Sequence, residues 1–192
     1  MERVSFTQMK DGTPEDYALL ERYETEYLAG LPDRILAALV KLQDGFGGYR
    51  VTRFEHSLQA ATRAERAGKS EEYVVAALLH DIGDELAPFT HGQMVATILA
   101  PFVAPEICWI IEHHGAFQVF HYGSQVGMDP NARDRWKDHP RFDATVEFCE
   151  HFDQNSFDPD YDWFPIAHFE PMVRRVFAET RYLTEGRDLG YA

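Results

Sequence analysis

The sequence is poor in three features that mark large classes of protein. It contains two cysteines in 192 residues, Cys108 and Cys149. Neither belongs to a CxxC pair, so no disulfide framework is indicated. The longest uninterrupted apolar run covers residues 73–79, which is far too short to span a membrane. No apolar core of a signal peptide follows residues 1–6. We therefore expect a reduced, cytoplasmic protein.

Positive charge is also scarce. Eighteen Lys and Arg residues oppose 32 Asp and Glu residues, which gives a formal net charge of -14. Nucleic acids and anionic membranes would repel such a surface, so we expect neither as a partner. A small anionic ligand is still compatible with this balance, because it needs only a few local cations.

Strand patterns are missing, whereas helix signals recur along the chain. Residues 52–55 form a capping box for a helix that ends near Gly68, and Ser70 caps the next helix. Further helices are expected to begin at Thr13 and to cover about residues 34–43, 91–99, 105–114, 142–154 and 171–184. No repeat or long linker divides the chain. The sequence therefore predicts an all-α, single-domain protein.

Histidine is enriched, with nine in the chain. His80 and Asp81 are adjacent at the end of a strongly apolar helix. Burying an ionised carboxylate there costs several kcal/mol unless a partner compensates its charge. A divalent cation explains both residues, because imidazole and carboxylate are good ligands. For an isolated pair, the simpler interpretation is that Asp81 caps a turn while His80 packs in the core.

Four more residues change that balance. His56 lies one turn inside a capped helix, His91 begins a helix, and His114 continues a buried apolar stripe. Asp153 lies near the end of a later helix. Ligands at the inner ends of several helices indicate a metal site in the core of a bundle. Six ligands are too many for one tetrahedral zinc ion and suit two ions bridged by Asp81.

These residues, in this order, resemble the HD-domain superfamily in its dinuclear form. The resemblance covers about residues 46–177, and residues 54–60, 76–83 and 148–162 are similar to the hydroxyphosphonate-cleaving branch of its mixed-valent diiron oxygenases. It implies a helical HD-domain bundle with 1–45 as N-terminal packing helices. It also implies two iron ions, Fe(II)/Fe(III), bound by a set of six residues: His56, His80, Asp81, His91, His114 and Asp153.

The resemblance implies an oxygenase that uses O2 to cleave the C–P bond of a 1-hydroxyphosphonate. The expected substrate is 1-hydroxy-2-(trimethylammonio)ethylphosphonate, and the expected products are glycine betaine and phosphate. No catalytic residue beyond the metal ligands is expected. The alternative is a dinuclear HD phosphohydrolase that acts on a nucleotide or another phosphate ester without consuming oxygen. A third interpretation is a metal-stabilised module that binds a ligand without turnover.

Three positions depart from the pattern of the related oxygenases. This chain has Asp84 where they carry Lys or His, Gln118 where the aminophosphonate enzyme carries Lys, and Glu150 at a basic position. Replacement cations that could bind an anionic group are present at Arg133, Arg135 and Lys137. Ordinary surface charge explains these three residues equally well.

The same departures suit a quaternary ammonium group. Asp84 and Glu150 would attract it by charge, and aromatic residues such as Tyr49, Phe46 and Tyr122 by cation–π interaction. For any single ring, packing in the core or at the rim is the simpler interpretation, and Asp84 could instead orient a ligand histidine. We predict substrate contacts for five residues: Tyr49, Asp84, Gln118, Arg133 and Lys137.

Overall fold

The structure, a computed structural model, describes residues 1–182, and the regular elements in that range are helices joined by loops and turns. Its described part contains eight α-helices and no β-strand: α1 (Pro14–Ala29), α2 (Leu31–Lys41), α3 (Arg53–Arg66), α4 (Glu71–Leu79), α5 (His91–Leu99), α6 (Pro105–Tyr122), α7 (Phe142–Phe148) and α8 (Ile166–Val176). The all-α prediction is confirmed. None of the helices in residues 1–182 is long and apolar enough to cross a membrane.

Helix caps set the start of α3 and α4 as the sequence predicts. The Glu55 N–H donates to the Thr52 hydroxyl at 3.1 Å, and the Thr52 N–H donates to the Glu55 carboxylate at 2.7 Å. The Tyr73 N–H donates to the Ser70 hydroxyl at 3.3 Å. These caps satisfy backbone donors that would otherwise lack partners. They therefore set the residues at which α3 and α4 begin.

Helix α4 is the centre of the bundle. Every side chain from 73 to 79 is buried, and the helix packs against α3, α6 and α8. A helix that is apolar on all sides is stable only in such surroundings. Because α4 ends inside the core, the two residues that follow it, His80 and Asp81, are delivered to the interior.

Helix α1 is mostly exposed, whereas α2 joins the core. Asp16 is the buried residue of α1, and α2 buries Ile35, Leu36 and Leu39. Helix α2 packs against α3 and α8. Within residues 1–45, the packing role predicted from the sequence therefore belongs mainly to α2.

Three of the predicted helix bounds differ from the structure. Helix α6 does not end near His114 but continues to Tyr122, because no helix-breaking proline follows and Gly115 is tolerated within it. Helix α8 begins at Ile166 rather than at Pro171, after the extended Pro165, and Pro171 lies inside it. Its predicted end at residue 184 lies outside the described residues.

The third difference concerns the segment that carries Asp153. Helix α7 ends at Phe148 and is followed by a π-helical turn, Cys149–Asp153. In this turn the Gln154 N–H donates to the Cys149 carbonyl at 2.9 Å, five residues back. Such turns are frequent at functional sites. A period-3.6 pattern does not reveal them, so the sequence predicted an unbroken helix here.

Helices α5 and α6 approach each other at Gly92. A Cβ atom added at Gly92 would lie 2.8 Å from the Ile111 carbonyl oxygen and 2.9 Å from that of Glu112. Both atoms belong to the backbone of α6 and cannot move aside cheaply. The glycine therefore permits the contact that holds His91, its neighbour, beside His114.

We expect Gly92→Ala to destabilise the protein by about 1–3 kcal/mol, because the added methyl group forces α5 away from α6. The free energy of unfolding in urea measures the effect. Gly47→Ala is the matched control, because a Cβ at Gly47 meets nothing within 4 Å. Equal stabilities of the two variants would contradict the close contact.

Candidate metal centre

Four histidine rings from neighbouring helices meet in the core. The Nε2 atoms of His56 and His80 are 3.1 Å apart, and those of His91 and His114 are also 3.1 Å apart. His56, His80 and His114 are buried, and His91 is half-buried. The structure thus forms two pairs of imidazoles from the four predicted histidines.

The second nitrogen of each ring faces an oxygen acceptor. The acceptors of Nδ1 are Ser156 O for His56 (3.0 Å), Ala77 O for His80 (2.7 Å), Ile111 O for His114 (2.6 Å) and Asp84 Oδ1 for His91 (3.3 Å). Because carbonyl and carboxylate oxygens only accept, Nδ1 carries the proton of each neutral ring. The Nε2 lone pairs consequently point at one another.

Asp81 lies between the two pairs and turns one oxygen toward each. Its Oδ2 is 3.1 Å from Nε2 of His80 and 3.4 Å from Nε2 of His56. Its Oδ1 is 3.6 Å from Nε2 of His91 and 3.5 Å from Nε2 of His114. A carboxylate placed in this way can bridge two close cations.

Asp153 extends the first pair. Its Oδ1 lies 3.3 Å from Nε2 of His56 and 3.8 Å from Nε2 of His80. The Gln118 side-chain amide donates to the same oxygen at 2.9 Å. Asp153 is therefore held in place from α6, the helix that also carries His114. The structure brings together all six residues of the predicted ligand set.

This arrangement fits metal ions and is unfavourable without positive charge. Both carboxylate oxygens of Asp81 are buried, and within residues 1–182 neither accepts a well-aligned hydrogen bond, although the Arg53 guanidinium lies 2.7 Å from Oδ2. Metal–ligand bonds of about 2.1 Å would separate neighbouring ligand atoms by roughly 3.0–3.4 Å, close to the spacings observed. The donors are nitrogen and oxygen, which suit iron, manganese and zinc. The His/Asp clusters can thus hold a dinuclear centre.

The pKa values show the same demand for positive charge. Burial would raise the pKa of Asp81, but the charges of His80 and Arg53 outweigh burial and hold this pKa well below its usual range. Burial would lower the pKa of His56, but interactions with Asp153 and Asp81 outweigh burial and raise this pKa to about 9. Without metal, a proton on His56 supplies part of the missing charge.

A cavity of about 350 Å³ opens onto the centre, within the range of small-molecule sites. His91, His114 and both aspartates of the ligand set contribute to its lining. The other lining residues that bear on a ligand are Tyr49, Arg53, Gln118, His121, Tyr122 and Phe157. The aromatic rings form a stack, because Phe157 lies 4.3 Å from the His56 ring and 4.8 Å from the Tyr49 ring.

The residues predicted to contact substrate divide into two groups. Tyr49 and Gln118 line the cavity, and their role stays a prediction. Among residues 1–182, the cavity lining does not include Asp84, Arg133 or Lys137.

The contacts of these three residues explain their placement. The Arg133 guanidinium stacks on Phe120 at 3.5 Å, and Lys137 is exposed. Asp84 faces Arg53 and His91 instead of the cavity. This contact favours the alternative in which Asp84 orients a ligand histidine.

Arg53 is the site residue that the sequence reasoning missed. Its Nη2 lies 2.7 Å from Asp81 Oδ2 and 2.8 Å from Asp84 Oδ2. Burial would lower its pKa, but these two carboxylates raise it, so the side chain is always charged. Arg53 precedes His56 by three residues on α3, which puts both on one helix face. That spacing was the available signal.

Cys149 shows no sign of reactivity. Its thiol lies 3.4 Å from the His114 carbonyl oxygen, to which it donates a weak hydrogen bond, and burial raises its pKa well above the usual range. A protonated, buried thiol is a poor nucleophile. Cys149 is therefore not a candidate nucleophile.

Comparison with known proteins relates the central segment to a known family. Residues 53–131 match the family model of the HD domain. This segment is therefore similar to HD domains. It contains the four histidines and Asp81 of the centre but ends before Asp153, which the tertiary structure adds from the π-helical turn.

One curated relative is an enzyme. The chain is 33% identical over 102 residues to the 1-hydroxy-2-(trimethylamino)ethylphosphonate dioxygenase (glycine-betaine-forming) of Leisingera caerulea, an alignment that covers 47% of this chain and 49% of the relative. The chain thus spans about half the length of the curated relative it matches. The resemblance to the HD-domain oxygenases inferred from the sequence is confirmed.

We expect about two metal ions per chain and a graded loss on mutation. Asp81→Ala removes a ligand from both pairs and should abolish binding of both ions, whereas His91→Ala should leave about one. Elemental analysis of purified variants measures the stoichiometry. His113→Ala is the matched control, because that ring stacks on Trp109 at 4.0 Å outside the cluster. Two ions retained by Asp81→Ala would contradict the bridge.

The metal-free protein should lose stability as the pH rises. The pKa of His56 is raised from 6.5 to about 9 in the folded state, so its contribution is fully present below pH 6.5 and is lost as the pH rises through about 9. Melting temperatures of EDTA-treated protein between pH 6 and 10 measure this loss of stability. The melting temperatures of metal-loaded protein and of EDTA-treated His56→Gln should depend less on pH. An equal decline in all three samples would refute the role of His56.

Proposed function

We propose that this protein is an iron-dependent oxygenase that uses O2 to cleave the C–P bond of 1-hydroxy-2-(trimethylammonio)ethylphosphonate. The observation that carries the proposal is the pair of histidine clusters joined by Asp81, whose two oxygens each face one cluster at 3.1–3.6 Å. The relative from Leisingera caerulea supports the reaction and substrate. A bound pair of iron ions would supply substrate chelation, activation of O2 and the redox change.

The protein's own groups would position the substrate and keep water away. Four of the six donors are fixed by backbone carbonyls or by Gln118 and would need little reorganisation when metal binds. The almost complete burial of His56, His80 and Asp81, exposed by 0–1%, excludes bulk water from one side of the centre. A substrate in the cavity would close the other side, which protects a reaction with oxygen from hydrolysis.

The aromatic lining of the cavity suits a quaternary ammonium group. Phe157 stacks between the rings of His56 and Tyr49. The rings of Tyr49 and Tyr122, which also line the cavity, are therefore the ones that can attract a cation. An aromatic face attracts an alkylammonium cation through its π electrons. A carboxylate would first have to give up its own tightly bound water. These rings and the relative from Leisingera caerulea together support a trimethylammonium substrate.

The deciding experiment compares aerobic and anaerobic incubation of the iron-loaded protein with 1-hydroxy-2-(trimethylammonio)ethylphosphonate. Both atoms of one O2 balance the reaction, one in the carboxylate and one in the phosphate. We expect O2 uptake, phosphate and glycine betaine in equal amounts, and no phosphate without O2. His114→Ala should abolish all three.

Two controls separate the alternatives. The analogue that lacks the 1-hydroxyl group, 2-(trimethylammonio)ethylphosphonate, should consume no oxygen, because it cannot chelate in the same way. Phosphate release from a phosphate ester by the manganese-loaded protein under argon would instead establish the phosphohydrolase and overturn the proposal.

A further inference from the structure

The cavity has one permanent cation in its lining, as far as residues 1–182 describe it. That residue is Arg53, at the start of α3. Its side chain is 15% exposed, and no other Arg or Lys lines the cavity in the same part of the chain. An anionic ligand that enters the cavity therefore meets Arg53 as its only charged protein partner besides the carboxylates, which repel it.

Asp84 anchors the guanidinium from behind. Arg53 donates from Nε at 3.0 Å and from Nη2 at 2.8 Å to Asp84 Oδ2. The other oxygen of Asp84 faces His91 Nδ1 at 3.3 Å. Asp84 thereby ties Arg53 to the metal centre through a ligand histidine. This contact does not depend on Asp81 and would persist when Asp81 binds metal.

The contact with Asp81 is of a different kind. Arg53 Nη2 lies 2.7 Å from Asp81 Oδ2, the oxygen that also faces His56 and His80. A cation held by that pair would compete with Arg53 for this oxygen. Arg53 Nη1 makes no hydrogen bond to any residue from 1 to 182. Metal loading would thus leave a charged fork that lines the cavity, is fixed on one side by Asp84, and has N–H donors that no residue from 1 to 182 uses.

We propose that Arg53 is the residue that binds the anionic oxygens of a phosphonate or phosphate group beside the metal centre. The guanidinium keeps its bonds to Asp84 and directs its remaining N–H groups to the ligand. Charge-assisted bonds from a planar fork suit two oxygens of one tetrahedral anion. This assignment rests on the proposed function for the phosphonate, but the recognition chemistry is the same for a phosphate.

Arg53 also explains how an acidic chain can accept such a ligand. Three carboxylates, those of Asp81, Asp84 and Asp153, lie at or next to the cavity, and two of them contact Arg53 directly. Without the positive charge of Arg53, these carboxylates would repel a dianionic ligand. Arg53 is therefore a specificity-determining residue, which selects an anionic group next to the metal rather than a neutral or cationic one.

The test is calorimetric titration of the iron-loaded protein with methylphosphonate under argon, so that no turnover is needed. Arg53→Gln should weaken binding by about 10- to 100-fold, the value of one charge-assisted interaction. Arg53→Lys should lose less, because it keeps the charge but not the fork. The matched control is Arg50→Gln, an exposed arginine near the same helix start, which should bind as the unmodified protein does.

Metal content measured on each variant separates recognition from assembly of the centre. We expect all three variants to retain two ions per chain. Loss of metal from both Arg53→Gln and Arg53→Lys would show that Arg53 serves to hold Asp81, and would overturn the proposal. Unchanged methylphosphonate binding in Arg53→Gln, or no binding by the unmodified protein, would overturn it as well.

A cationic probe tests the specificity of the loss. Choline carries the ammonium group without the anion, and its affinity should change by less than about twofold in Arg53→Gln. Equal losses for choline and methylphosphonate would indicate general damage to the cavity and would refute the assignment.

Failure of the proposed function has a different signature. If the unmodified protein consumes no O2 with the hydroxyphosphonate but Arg53→Gln still loses methylphosphonate binding, the oxygenase proposal fails and the role of Arg53 stands. If O2 uptake occurs but Arg53→Gln leaves methylphosphonate binding unchanged, the oxygenase proposal stands and the proposed role of Arg53 fails.

Discussion

The metal centre of this bundle depends on the attraction between positive charge and the lone pairs of its buried histidine and aspartate side chains. Four imidazole Nε2 atoms and the carboxylates of Asp81 and Asp153 share a buried space, and Asp81 is 1% exposed. Removing such groups from water costs several kcal/mol per charge unless a cation compensates. The raised pKa of His56, about 9, expresses the same demand in the form of a proton. Metal ions satisfy it more completely, since they meet every donor at once.

Rigidity around the centre comes from groups that hold no metal themselves. Backbone carbonyls hold three of the imidazoles, and Gln118 holds Asp153. Gly92 brings α5 against α6, so the two halves of the second histidine pair share one packed contact. These elements select one tautomer and one orientation for each ring. Preorganisation of this kind lowers the cost of ordering ligands when metal binds.

Beside the metal centre, Arg53 lies between Asp84 and Asp81 and also lines the cavity. Asp84 takes no part in the lining of the cavity beside the centre; it balances the charge of Arg53 and faces Nδ1 of His91. In this chain the cation beside Asp84 is Arg53, which comes from α3 and lies 2.8 Å from Asp84 Oδ2. One Arg–Asp pair thus supplies both an anchor and a positive surface. Tyr49 and Phe157 line the same cavity as Arg53 and stack in a row with His56, so the lining combines a cationic residue with aromatic side chains.

Much of the fold and the centre could be predicted from the sequence, because local rules carry that information. Caps at Thr52 and Ser70, the apolar run 73–79 and the order of six polar residues inside helical patterns indicated the helices and the ligands. The tertiary structure decided what has no local signal. The π-helical turn that aims Asp153 depends on packing in the core, which no local pattern reveals. Arg53 approaches Asp84 across 31 residues of chain, and such long-range pairing of charges is determined only when the helices pack together.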